Sequence, residues 1–227
     1  MFDQQRFDDF VLDSEVYGFF EDAITLKSGR TSHFYANWRN AVADAFLADE
    51  LSDFVLDFVA SKGVSIDTFY GVPEGATKLG VLTQFKHAKR SPDYAKNSHA
   101  LAMGRAKPKE HGAPKDKYFV GMPKGRTLVV EDVTTTGGSL LRCLEGLKEA
   151  GVQVVGVLSL TNRMEKRDDG SSVEEAVRAA GYEFHCMSSA LDLLPRAFEK
   201  LAPGDEVGRA IGKEFAEYGV KPLVLLK

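Results

Sequence analysis

The chain has only two cysteines, Cys143 and Cys186, which stand far apart and outside any CxxC or zinc-ligand spacing. A disulfide framework and a zinc module are thereby excluded, and a reduced, cytoplasmic setting is the default expectation. Cys143 falls in a stretch of helical spacing, where a small buried thiol is expected rather than a nucleophile. Long apolar runs are also missing, and the Asp-rich first residues carry no signal-peptide pattern, so no membrane partner is expected. Nor is there an excess of one charge: 29 Lys and Arg against 33 Asp and Glu leave a net charge of −4. Nucleic-acid binding needs a basic surface that releases counterions, so no nucleic-acid partner is expected either. Repeats, low-complexity tracts and interdomain linkers are absent, as are the Walker and dinucleotide glycine fingerprints.

What is present is 227 residues of ordinary globular composition, enough for a single α/β domain spanning 1–227. Residues from about Phe7 to Phe20 mix apolar and acidic positions and suit a helix. Leu47, Leu51, Phe54, Val55, Phe58 and Val59 form a helical stripe that Gly63 ends. There follow strand-like and helix-like pieces in alternation: Thr68–Tyr70, a glycine-containing loop, Leu79–Phe85, His99–Met103, a long polar loop, Leu128–Val130, a helix from Gly138, and Val152–Leu160. Such alternation predicts a mostly parallel central sheet flanked by helices. Residues after Cys186 read as helical, a tail (187–227) assigned to packing, a lid or subunit contact without a choice among them. The polar clusters Gly71–Lys78, Arg105–Lys117, Glu131–Gly138 and Asn162–Arg167 follow the predicted strands, so parallel strands would gather them along one sheet edge.

The most informative stretch is Thr127–Ser139, TLVVEDVTTTGGS. Leu128–Val130 suit a strand buried on both faces, and Leu140, Leu141, Leu144 and Leu147 recur at helical spacing. Between them lies a turn of small residues where a strand ends and a helix begins, the place where parallel sheets bind ligands. Free backbone N–H groups and the positive helix end there favour a phosphate, with threonine hydroxyls as further donors. Glu131 and Asp132 cannot bind a phosphate directly, but they fit ribose hydroxyls or a metal-bound ligand. The competing reading is a tight turn whose threonines only cap the helix. Neighbouring carboxylates at a strand end argue against it, because burying them costs energy unless something binds them.

Three further clusters invite the same question. Gly71–Lys78 matches a phosphate loop only loosely and by itself reads as a structural turn. Arg105–Lys117, basic through Lys107, Lys109, His111, Lys115 and Lys117, reads either as a solvated loop or as a lid closing over an anion. Leu26–Tyr35 looks like a turn entering a strand, with Lys27 and Arg30 as surface cations or ligand contacts, and Phe34 and Tyr35 as core or as a face for a flat ring. Arg163, after the apolar run Val152–Leu160, fits a surface residue, an internal ion pair or a two-pronged carboxylate contact.

Together, four segments resemble the type I phosphoribosyltransferases, and among them the orotate phosphoribosyltransferases. Val129–Ser139 resembles the family's phosphoribosyl pyrophosphate motif; Thr25-Leu26-Lys27-Ser28-Gly29-Arg30 is similar to the orotate enzymes' amino-terminal segment. Lys107-Pro108-Lys109-Glu110-His111-Gly112, preceded by Arg105, resembles their catalytic loop, and Asn162-Arg163 sits where they carry an orotate-binding arginine. The match covers roughly Phe20 to Gly170, leaving the tail out.

The resemblance implies a type I phosphoribosyltransferase fold with an amino-terminal hood (1–40). It implies transfer of a phosphoribosyl group from phosphoribosyl pyrophosphate to orotate, with Mg²⁺ held mainly by substrate oxygens rather than by protein ligands. By position, Arg105, Lys109, His111 and Asp132 would be catalytic, and Glu131, Asp132, Thr134, Thr135, Thr136, Gly137, Gly138 and Lys107 would bind the donor. Lys27, Phe34, Tyr35 and Arg163 would bind orotate. A homodimer sharing the catalytic loop between subunits is implied as well. Two positions depart from the pattern: Ala106 stands where a second basic residue is frequent, and Gly75 where many of these enzymes have a pyrophosphate-binding lysine. The competing functions are transfer to another base (uracil or a purine) and a non-catalytic regulator that binds phosphoribosyl pyrophosphate.

Overall fold

A computed structural model of the chain describes residues 1–107, 109–111 and 114–226, without the side chains of Pro114 and Lys115. The elements run α1 (Gln4–Asp13), β1 (Tyr17–Thr25), β2 (Thr31–Ala36), α2 (Ala45–Ser61), β3 (Thr68–Gly71), α3 (Thr77–Arg90) and α4 (Pro114–Tyr118). They continue with β4 (Thr127–Thr134), α5 (Gly138–Glu149), β5 (Val154–Asn162), α6 (Val173–Ala179), β6 (Phe184–Ser189), α7 (Ala190–Leu201) and α8 (Asp205–Glu217). Strands β3 to β6 form one sheet in that order, and every pairing is parallel. Parallel neighbours need crossover connections, and the helices between them supply these. The first two strands form a separate antiparallel hairpin.

Both sheet faces are covered, which explains the uninterrupted apolar run. On one face Leu128 and Val130 join Phe69, Leu158 and Leu160, under α1, α2, α7 and α8. On the other, Val129 meets Tyr70, Val157 and Phe184 under α5 and α6. Successive β4 side chains thus enter opposite cores, as the two-residue period of a strand requires. Each fully buried apolar side chain of this kind stabilises the fold by roughly 1.5–3 kcal/mol.

Several expectations are corrected. The helix foreseen over Phe7–Phe20 ends at Asp13, where Ser14 caps it and Glu15 adopts φ 51°. Tyr17–Thr25 is instead a strand, because Thr31–Ala36 pairs with it and buries Val16 and Tyr17. His99–Met103 forms no regular strand. Its end closes the base of an excursion through Val120 N–H to Met103 O (2.7 Å) and Arg105 N–H to Tyr118 O (2.9 Å). The basic segment is therefore a hairpin-like loop carrying α4, and it does not follow a strand of the sheet. Pro108, Gly112 and Ala113 of that segment lie outside the described residues. The strand predicted to end at Val130 runs on to Thr134, so both acids sit within it. The tail begins with strand residues to Ser189, and its two helices pack on the core through Leu193, Leu194, Ile211 and Phe215.

Candidate functional site

The carboxyl ends of β3, β4 and β5 bring three of the four polar clusters to one edge. Glu131 is 6% exposed, opposite Ser159 in the β4–β5 register. Burial, and then the neighbouring charge of Asp132, raise its pKa well above the ordinary carboxyl value, while Lys27 acts in the opposite sense. Asp132 is half-buried, and its Oδ1 accepts the Val133 N–H at 2.9 Å. Its carboxylate lies hard against the Gly71–Lys78 loop: a Cβ added at Gly75 would stand 2.3 Å from Asp132 Oδ2. Glycine is required there by close approach.

Beyond the acids, Thr134 turns inward. It is 1% exposed, and its hydroxyl meets Ser159 Oγ at 3.2 Å, so its side chain is occupied by the core. Thr135 and Thr136 stay half-exposed. Gly137 takes φ 71° and begins α5 without a side-chain cap. Unlike the capping threonine of the competing reading, this leaves first-turn N–H groups available for an anion. Arg167 Nη1 donates to the Thr136 carbonyl and fastens the turn to the segment after β5.

On the far side of the same edge, Arg163 is 1% exposed with its Cζ 3.8 Å from the Phe34 ring centroid. It donates through Nε to Glu165 Oε1 (2.8 Å), through Nη1 to Phe34 O (3.2 Å) and through Nη2 to Ser32 Oγ (2.9 Å). The internal ion pair is therefore what the isolated chain contains. Arg30 shares the same carboxylate, its Nη1 3.3 Å from Glu165 Oε2, and stacks 4.6 Å over Tyr218. Arg30 Nη2 also meets Asp168 Oδ1 at 2.9 Å, so the two guanidinium groups beside Phe34 are matched by two carboxylates. Phe34 itself is core, stacked with Phe215, whereas Tyr35 is half-exposed.

Glu214 of α8 underpins this corner, accepting from Ser32 Oγ (2.8 Å) and from the His33 N–H (2.8 Å), with His33 Nδ1 at 2.7 Å. Glu165 and Glu214 were missed from sequence. Glu165 had a local signal, two positions after Arg163, whereas Glu214 lies 181 residues from its partner and had none.

Lys27 and Arg105 line one cavity of about 270 Å³, together with Pro73, Ala106, Ser139 and Arg142. Lys107, Lys109 and His111 are exposed. Cys143 borders the cavity, but burial pushes its thiol pKa up to about 12, which rules out a thiolate nucleophile at neutral pH.

Residues 120–178 match the phosphoribosyl transferase domain family. An orotate phosphoribosyltransferase of Bradyrhizobium diazoefficiens is 36% identical over 178 residues, covering 75% of this chain and 87% of the relative. The chain belongs to the orotate phosphoribosyltransferase family. Another such enzyme, from Rhodopseudomonas palustris, is 35% identical over 76% of this chain and 88% of its own length. Among solved structures, the orotate phosphoribosyltransferase of Francisella tularensis covers 94% of this chain and 99% of its own, with a TM-score of 0.65 at 20% identity. That likeness places the mixed α/β architecture in the type I phosphoribosyltransferase fold, and it extends beyond the family-matched segment to α7 and α8.

Proposed function

We propose that the chain transfers the phosphoribosyl group of phosphoribosyl pyrophosphate to orotate, giving orotidine 5′-monophosphate and pyrophosphate. The observation that carries this reading is the continuous edge joining the acid pair, the Gly137 turn and the Arg163–Phe34 corner. Glu131 and Asp132 take the ribose hydroxyls, and the N–H groups of Thr135–Gly138 take the 5′-phosphate. The Gly71–Lys78 loop lines the pyrophosphate. The corner at Arg163, with Lys27 and the Phe34–Tyr35 segment, receives orotate and its carboxylate.

No enzyme nucleophile is needed: a ring nitrogen of orotate bonds to carbon one of the ribose as the carbon–oxygen bond to pyrophosphate breaks. The protein's part is positioning and electrostatics. The carboxylate oxygens of Asp132 suit a hard cation, and a Mg²⁺ held mainly by substrate oxygens would supply positive charge against the departing pyrophosphate. Arg105, Lys107, Lys109 and His111 close over that leaving group and exclude water. Exposure of Lys107, Lys109 and His111 supports a homodimer in which these three reach the neighbouring subunit's site, while Arg105 and Ala106 line the cavity of their own chain. A single domain is supported by one core that joins Phe7 to Leu223. No helix in the described residues is long and apolar enough to cross a membrane, which agrees with a cytoplasmic enzyme of pyrimidine synthesis.

A second reading, transfer to an uncharged base such as uracil, is favoured by the Arg163–Glu165 pair, which partly neutralises the carboxylate-binding corner. The deciding experiment follows orotate's ultraviolet absorbance after adding donor and Mg²⁺, beside uracil and purines. Consumption of orotate alone is expected. Consumption of another base in its place would overturn the assignment, and donor binding without turnover on any base would mark a regulator.

A further inference from the structure

We infer that Arg142 is an additional binding residue for the pyrophosphate group of the donor, restoring charge that this chain lacks at Ala106 and Gly75. The inference rests on the proposed function and deepens it. Arg142 lies on α5, and its Nη1 stands 3.5 Å from where a Cβ on Gly138 would be, so the side chain reaches back to the first helical turn. Helical side chains lean towards the amino terminus of their helix, which makes this direction the natural one. The cavity it lines is walled by Pro73, from the loop read as the pyrophosphate seat, and by Ala106, the neutral position itself. Lys27 and Arg105 are the other cations of that wall, and no carboxylate residue lines it. None of the three pairs with a carboxylate among the described residues.

Three cations around one small cavity repel each other until an anion enters, and a compact polyanion satisfies all of them at once. The cavity also adjoins the acid pair through the Gly71–Lys78 loop, since Pro73 lines the cavity and the same loop closes on the Asp132 carboxylate at Gly75. A donor whose ribose sits on Glu131 and Asp132, with its pyrophosphate along that loop, borders this cavity at Pro73. The missing charge of the loop at Ala106 is supplied from the helix on the opposite wall.

The test is calorimetric titration of the whole protein with inorganic pyrophosphate and Mg²⁺, for the wild type, Arg142→Gln, Arg142→Lys and Lys148→Gln. Lys148 is exposed on the same helix and does not line the cavity. Loss of one charge-assisted contact weakens pyrophosphate binding by about tenfold or more in Arg142→Gln. Partial recovery is expected in Arg142→Lys, and change within twofold in Lys148→Gln. Steady-state kinetics should show a matching rise in KM for the donor with KM for orotate unchanged. Pyrophosphate binding within twofold of wild type in Arg142→Gln, or an equal loss in Lys148→Gln, overturns the inference. A wild type that binds pyrophosphate but consumes no orotate would instead defeat the proposed function alone.

Discussion

Glu131→Gln offers the sharpest check on the buried acid pair. In the unfolded chain the Glu131 carboxyl ionises near its ordinary value of 4.5; in the native state burial and Asp132 keep it protonated to higher pH. Between those limits the native state binds more protons than the unfolded one, so this group lowers stability as pH rises. At full strength, one such proton changes stability by about 1.4 kcal/mol per pH unit. Glutamine keeps the shape and cannot ionise, so subtracting the two stability–pH curves cancels the titrating groups that are not coupled to Glu131. Urea unfolding of both proteins in half-unit steps upward from about pH 5 measures the difference. The variant should gain on wild type with rising pH until Glu131 ionises in the fold, and then hold a constant advantage. If the Mg²⁺–donor complex recharges the pair on binding, the variant should also lose donor affinity and the accompanying proton release. That release appears as a binding enthalpy that depends on the buffer's ionisation heat. Parallel stability curves would refute the reasoning, because a carboxyl titrating normally in the fold is not desolvated.

Gly75→Ala should push Asp132 aside, since the new Cβ would meet Oδ2 at 2.3 Å. Donor KM should rise about tenfold for a stability loss of only ~1 kcal/mol, and an unchanged KM would show that Asp132 does not work from this position. Glu214→Ala removes the acceptor of three contacts to Ser32 and His33. A destabilisation of about 2 kcal/mol is expected in urea melts, with a higher orotate KM as β2 loosens, and a loss below about 0.5 kcal/mol would deny that the tail braces the corner. Lys109→Ala, at an exposed position, should leave stability within about 0.5 kcal/mol and lower kcat far more than it raises orotate KM. Unchanged turnover would remove the loop from catalysis.

The parts of this site legible from sequence are those whose signal is local. Gly137 and Gly138 mark the end of a strand and the start of α5 because a positive φ and an uncapped first turn are written in adjacent residues. Leu128–Val130 announce a doubly covered strand in the same way. Tyr17–Thr25 misled because its burial follows no clean two-residue alternation and its partner begins only at Thr31. The acids were read at the strand's end rather than within it for a related reason: Ser159, Thr161 and Asn162, which extend the pairing to Thr134, lie well over twenty residues downstream. Thr134 was counted as a phosphate donor, yet only the fold shows its hydroxyl facing Ser159. Arg163 illustrates the limit best. Its type and place at the end of a strand were visible, whereas its commitment to Glu165 depends on backbone direction after β5.

If Arg142 serves the donor, the pyrophosphate subsite takes its charge from a different element than the loop. A lysine at position 75 could not coexist with Asp132 where it stands, because even a methyl group there overlaps the carboxylate. The chain therefore cannot place a cation at position 75 without displacing the acid proposed to bind the ribose. Ala106 leaves a second gap, on the opposite side of the same cavity. Arg142 reaches that cavity from a rigid helix and competes with neither acid for space. A double change, Ala106→Lys with Arg142→Gln, follows directly. If cations on the two walls are interchangeable, it should recover most of the pyrophosphate affinity that Arg142→Gln loses. Recovery would show that the pyrophosphate subsite sums charge across the cavity, and failure would show that it needs the fixed geometry of α5.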